Sequence, residues 1–266
     1  MNILTSTERA AHYPETGRSM PADAAAYGDG ASSSLTGDGF AYSHTRQVIV
    51  DTSQFREKRL VAALPETTES DTYKILRTQI QQRTKEKGWN TIMVTSPEAG
   101  VGKTLTAVNL AIAMAQEFHQ TVMLVDCDLR KQDIHKLLGY ASDRGLADHL
   151  LENIPLSELI VCPGINKLTI LSGGRTLEGR TELLGSSKMA QLVAEMKNRY
   201  QNRYILFDVP SLLEGADALA FLPNVDAVLM VVEAGKSTHS ESKKALQLIP
   251  PDKLLGVVVN RQTEMA

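Results

Sequence analysis

Six short apolar runs recur along the chain from residue 91 to residue 260: TIMVTS, TVMLVDCD, KLTILSG, YILFDVP, AVLMVVEA and GVVVN. Each is rich in Val and Ile and lacks polar alternation, which predicts strands covered on both faces, as in a parallel sheet. Between them, TLTAVNLAIAMAQEF, SKMAQLVAEMKNRY and STHSESKKALQLI carry apolar residues at helical spacing. This alternation predicts a doubly wound, mostly parallel α/β domain. Ligands in such sheets bind beyond the carboxyl ends of the strands, so functional residues are expected just after the apolar runs.

Ahead of the first run, TESDTYKILRTQIQQRTKEKG reads as an amphipathic helix with Ile75, Leu76 and Ile80 on its apolar side and Gly88 near its end. Before that the composition changes. Residues 1–61 are rich in Ala, Ser, Gly, Thr and Asp, and stretches such as GDGASSSLTGDG cannot bury enough apolar surface to offset the entropy of ordering. A disordered arm over 1–61 and a single domain over 62–266 are therefore expected. Within the arm, RQVIVDTSQF is a β-prone island, read first as a spacer and second as a docking segment.

The net charge of −3 over 266 residues provides no broad basic field, so nucleic acid is not an expected partner. Only Cys127 and Cys162 occur, and neither has metal-ligand spacing. Both are expected as small buried residues in a reducing compartment. The first residues do not form a basic region followed by an apolar stretch, and the longest apolar run, Ala227 to Val232, is far shorter than the roughly 20 residues that span a bilayer. The expectation is a cytoplasmic protein that meets the inner membrane only through a partner.

The first apolar run leads into SPEAGVGKT, Ser96 to Thr104, where a strand, a glycine-containing turn and a helix start follow one another. Backbone N–H groups and a helix N-terminus then converge on phosphate. Ala99, Gly100, Val101, Gly102, Lys103, Thr104 and Leu105 form the expected nucleotide cradle, although the strict G-x-x-x-x-G-K form is not met. Lys103 is expected on the β- and γ-phosphates of ATP and the Thr104 hydroxyl on Mg²⁺. VDCDLR ends the second run with Asp126 and Asp128, carboxylates suited to organising Mg²⁺ and accepting a proton, with a helix-cap role for Asp128 as the alternative. YILFDVP ends in Asp208, the pattern of a Walker B carboxylate that holds Mg²⁺. Asn260 ends the last run, where its amide can pair with an adenine edge or form a turn.

Taken in order, SPEAGVGKT, VMLVDCDLRK and ILFDVP resemble the deviant P-loop ATPases of the MinD and ParA type, and more closely the bacterial tyrosine kinases of capsule and exopolysaccharide synthesis. The resemblance spans about residues 69–262. Glu98 stands where MinD and ParA relatives carry a signature lysine, which favours the kinase branch. DTYKILRTQ resembles that branch's E-x-x-R-x-x-R oligomerisation helix, with Asp71, Lys74 and Arg77 at the three positions, although Lys lacks the bidentate fork of Arg. KLTILSGGRTLEGRTELLGSSKMAQLVAEM and VLMVVEAGKSTHSESKKAL are most similar to the exosortase-associated tyrosine autokinases.

The resemblance implies γ-phosphoryl transfer from ATP to tyrosine, Mg²⁺, self-association, and a membrane chain-length regulator as partner. It also implies that Asp126 serves Mg²⁺ and the tyrosine hydroxyl, with Asp128 and Asp208 completing the site. Two departures stand out. No tyrosine follows Tyr204 in the sequence, so the family's usual acceptor is missing; Tyr13, Tyr27 and Tyr42 in the arm could be reached in trans but read first as ordinary tail residues, and the Walker B segment reads DVPS where the family commonly has two prolines. The competing reading is a non-kinase ATPase switch whose ATP-dependent self-association controls a membrane polysaccharide assembly.

Overall fold

The computed structural model describes residues 45–200 and 202–262 together with the backbone of Ile3 and Leu4. Most of the expected arm, including Tyr13, Tyr27 and Tyr42, lies outside the described residues. The strands are β1 (Ile3–Leu4), β2 (Arg46–Gln47), β3 (Thr91–Thr95), β4 (Thr121–Asp126), β5 (Ile160–Cys162), β6 (Leu168–Leu171), β7 (Arg203–Asp208), β8 (Ala227–Glu233) and β9 (Leu254–Asn260). They form one sheet in the order β1-β9-β8-β3-β7-β4-β6-β5-β2. From β9 to β6 every neighbouring pair is parallel, and only the β1–β9 and β5–β6 pairings are antiparallel.

The helices are α1 (Thr68–Lys85), α2 (Lys103–Ala115), α3 (Ile134–Leu138), α4 (Leu146–Glu152), α5 (Leu156–Leu159), α6 (Arg180–Leu184), α7 (Ser187–Arg199), α8 (Asp217–Phe221) and α9 (His239–Gln247). The longer ones begin where local chemistry allows. Thr67 and Ser70 form a capping box at α1, Ser186 accepts from the Met189 N–H at α7, and Thr238 with Glu241 closes a box at α9.

The central strands are apolar throughout because each serves two cores. On β4, Val122 and Leu124 face the core beneath α1 and α2, whereas Met123 and Val125 face the one beneath α7 and α8. β7 divides likewise, with Leu206 on one side and Ile205 and Phe207 on the other. This period of two inside an unbroken apolar run is the mark of a strand buried on both faces. Both cysteines are free and buried, Cys127 completely.

One boundary and one buried face differ from the sequence reading. Residues 45–61, expected within the arm, pack on the domain, with Phe55 and Leu60 in the core and Arg46 paired in register with Val161 of β5. Asn109 of α2 clamps this segment, accepting from the Ala62 N–H at 2.9 Å and donating to the Arg59 carbonyl at 3.0 Å. On α1 the buried stripe is Tyr73, Leu76, Ile80 and Thr84, and Ile75, expected inside, is 55% exposed. Tyr73, Leu76 and Ile80 share one face at helical spacing, and Ile75 lies off it.

Candidate active site

The P-loop follows β3, at the centre of the sheet between β8 and β7. Gly100 and Gly102 adopt φ of 80° and 91°, values an L side chain rarely takes, and α2 begins directly after Gly102. Neighbouring strands set the partners. In register, Asp208 of β7 lies beside Val94 on one side and Asp126 of β4 on the other. Three carboxyl edges therefore deliver the loop and two carboxylates to one place, as the apolar runs predicted.

Lys103, only 9% exposed, turns back from the start of α2 and places Nζ 3.1 Å from Asp128 Oδ2 and 3.5 Å from Asp208 Oδ1. Thr104 Oγ1 donates to Asp208 Oδ2 at 2.6 Å. Burial disfavours the Lys103 charge, but Asp208 and then Asp128 outweigh it and hold the ammonium above the usual lysine range. Burial raises the Asp208 carboxyl, with Lys103 and the Thr104 hydroxyl opposing. Asp126 is raised well above the usual carboxylate range, first by burial and then by Asp208.

Asp126 ends β4 beside Asp208 at the carboxyl edge, as expected, but it does not line the cleft. Its side chain has no solvent exposure, and its oxygens accept from the backbone N–H of Asp128 at 3.1 Å and of Ile134 at 3.4 Å. It lies under the floor and shapes the turn from β4 towards α3, whereas Asp128 lines the cleft. Asp128 also accepts from the Lys131 N–H at 3.0 Å, so its local turn contact coexists with its place at Lys103.

Of the two roles open to Asn260, the local turn contact is present, and a contact to the P-loop joins it. Its Nδ2 donates to the Val101 carbonyl at 2.8 Å and its Oδ1 accepts from the Arg261 N–H at 2.9 Å. Both ends of the amide are thus engaged within the chain, one of them bracing the P-loop. Arg175 and Arg180 are paired internally: Arg175 with Asp148 at 2.9 Å and with Glu152, and Arg180 with Asp217 at 2.7 Å.

The cleft has a volume of about 420 Å³. Its walls include Ala99, Gly100, Gly102, Lys103, Thr104 and Leu105 from the loop, Arg130 and Lys131 after β4, and Ser211 and Glu214 after β7. Several of these went unnoticed in the sequence. Ser211 Oγ meets Ser96 Oγ at 3.0 Å, and Glu214 Oε1 accepts from the Ala99 N–H at 2.8 Å. The β8–α9 turn closes the other side, where Ser237 Oγ donates to Glu98 Oε1 at 2.9 Å and Lys236 Nζ to the Ala99 carbonyl at 3.2 Å. Glu98 is thereby occupied within its own chain. No regular signal marks these residues, because short polar loops carry no periodicity.

Among the described residues no three His, Cys, Asp or Glu side chains converge on one point as a protein-only metal cage. One carboxylate beside one hydroxyl, next to a phosphate cradle, is a donor set for a hard ion that keeps waters and takes the rest of its shell from phosphate, which fits Mg²⁺. No helix of the described residues is long and apolar enough to cross a membrane.

Residues 92–266 match the CobQ/CobB/MinD/ParA nucleotide binding domain. The tyrosine-protein kinase YwqD of Bacillus subtilis (strain 168) is 31% identical over 209 residues, 77% of this chain and 87% of the relative. The putative tyrosine-protein kinase CapB of Staphylococcus aureus is 29% identical over 199 residues, 74% of this chain and 86% of the relative. Among solved structures, the chimerical protein CapA2B2 superposes with a TM-score of 0.72 at 28% identity, covering 82% of this chain and 94% of that one.

Proposed function

Because the chain belongs to the CobQ/CobB/MinD/ParA nucleotide-binding family, and within it to the bacterial tyrosine-protein kinases, we propose that it transfers the γ-phosphoryl of ATP to protein tyrosine in exopolysaccharide synthesis or export. The observation that carries this reading is the meeting of the P-loop's Lys103 and Thr104 with Asp208 and Asp128 at one cleft.

The P-loop amides and the α2 N-terminus would hold the phosphates, and Lys103 would turn from the carboxylates to the β- and γ-oxygens. Thr104 and Asp208 would hold Mg²⁺, with Asp126 behind them, and the ion would neutralise charge on the phosphates. A phenol with an unperturbed pKa of about 10 keeps its proton at neutral pH. Asp128, released as Lys103 turns to phosphate, is the cleft-facing carboxylate that can take that proton while the tyrosine oxygen bonds to phosphorus and ADP leaves.

Self-association through α1 rests on a narrower basis than the three-residue motif suggested. Asp71 and Lys74 pair with each other at 2.7 Å on the outer face, but Arg77 points inward. The membrane partner we propose, from family likeness, is a polysaccharide chain-length regulator. Incubation with Mg-ATP followed by mass-spectrometric mapping tests the activity: phosphotyrosine on the protein, a partner or an added tyrosine peptide is expected, and its loss in Lys103→Ala and Asp128→Asn. Phosphate release with no phosphotyrosine on any of the three would reject the kinase in favour of an ATPase switch.

A further inference from the structure

Glu214 presents an anion to an amide of a loop built to bind anions. Its Oε1 accepts from the Ala99 N–H at 2.8 Å, so a carboxylate oxygen stands in the place of a phosphate oxygen. The other acids on the cleft wall are neutralised: Asp128 by Lys103 at 3.1 Å, Asp133 by Lys136 at 3.1 Å and Asp217 by Arg180 at 2.7 Å. Among the described residues Glu214 has no cation partner, and the one hydrogen bond its carboxylate accepts comes from a P-loop amide.

The backbone leading to Glu214 is pinned to the loop it faces. Leu212 N–H donates to the Ser96 carbonyl at 2.8 Å, Leu213 N–H to the Pro97 carbonyl at 3.1 Å, and Thr95 Oγ1 to the Pro210 carbonyl at 2.7 Å. Beyond these bonds the side chain is exposed, and Gly215 has open space around it. Rotation of the side chain alone therefore frees the amide.

Resting on the nucleotide reading above, we propose that Glu214 sets the discrimination between nucleoside tri- and diphosphate by competing with the terminal phosphoryl for the Ala99 N–H. The β-phosphate belongs at the N-terminus of α2, beside Gly102 and Lys103, and Ala99 lies at the outer end of the loop, where a third phosphoryl extends. A diphosphate leaves the Glu214–Ala99 contact intact. A triphosphate must displace it and meets the carboxylate's charge until it has moved. The protein thus binds ATP less tightly, relative to ADP, than its P-loop alone allows.

Titration calorimetry of wild-type protein and Glu214→Gln with Mg-ADP and with the Mg complex of the imido analogue of ATP tests this. The variant removes the charge and keeps the size, and its ratio of triphosphate to diphosphate affinity is expected to rise about tenfold. A ratio equal to that of the wild type, or an equal gain for both nucleotides, would overturn the inference and leave nucleotide binding standing. Wild-type protein that binds neither nucleotide overturns the nucleotide assignment and this inference with it. Should Glu214→Gln lose ADP binding through misfolding, Glu214→Ser provides the same comparison.

Discussion

Asn260 closes over Gly102 so tightly that a Cβ on the glycine would lie 2.3 Å from the Asn260 amide nitrogen. The glycine also holds φ at 91°. Gly102→Ala is expected to destabilise the protein by about 2–4 kcal/mol, combining left-handed strain and overpacking. Thermal unfolding of Gly102→Ala, Asn260→Ala and the double variant checks it, with the double variant recovering the clash but not the strain. Asn260→Ala alone is expected to change ATP and GTP affinity by the same factor, since its amide braces the loop.

Lys103 neutralises a buried acidic floor. A carboxyl whose folded pKa is raised binds its proton more tightly when folded, so its contribution favours folding at low pH and is lost as pH rises from the unfolded value through the folded one. Asp126 and Asp208 are both of this kind. Lys103→Ala raises them further, so stability of the nucleotide-free variant should fall more steeply above about pH 4 than that of the wild type. Denaturant melts at stepped pH read this out, and the thermal shift given by Mg-ATP should vanish in the variant.

Arg77 works inside the protein. Its guanidinium donates to the Ala113 carbonyl at 2.9 Å and pairs with Glu117 at 2.9 Å, and its side chain is 15% exposed. It caps the carboxyl end of the helix that starts with Lys103. Arg77→Ala should cost about 2 kcal/mol at every protein concentration. A melting temperature that falls only where the protein self-associates would instead assign Arg77 to an interface.

Asp226 pins the start of β3. It accepts from the Asn90 N–H at 3.1 Å, the Thr91 N–H at 3.2 Å and the Thr91 hydroxyl at 2.8 Å, and it pairs with Lys197. Burial opposes its charge, but Lys197 and these donors win and hold the carboxyl below its usual range. The stability it confers is present above the unfolded pKa and is lost as pH falls through the lower folded one. Asp226→Asn should lower stability at neutral pH and flatten the acid limb, as measured by urea unfolding between pH 7 and pH 2.

Tyr73, Tyr140 and Tyr204 are each less than 10% exposed. Burial pushes Tyr73 and Tyr140 up to about 12, and Tyr204 Oη meets Thr84 Oγ1 at 2.7 Å. None of the three should carry phosphate after Mg-ATP incubation of folded protein. Peptide mapping under native and denaturing conditions separates protection by the fold from lack of reactivity.

All six apolar runs became strands in the sheet, and all four long helices formed where periodicity placed them. β5 was illegible because three residues carry no period, and β2 because it exists only by pairing with β5. The segment around Phe55 and Leu60 looked like part of a polar arm because two apolar anchors do not change a local composition. Their burial depends on Asn109 of α2 and Gln116 just after it supplying hydrogen bonds to the backbone beside them.

The P-loop, the strand ends and the family are written in the sequence itself. They depend on local properties: glycine's freedom at positive φ, the reach of Lys103 and Thr104, and apolar runs that need cover on both faces. Which acids face the cleft is a tertiary decision. Asp126 and Asp128 are two residues apart and chemically alike, yet the chain's turn towards Ile134 takes the first into the floor and leaves the second beside Lys103. Asn260 and Glu214 became neighbours of the loop only when β9 and the segment after β7 folded against it, because their partners are backbone groups distant in sequence.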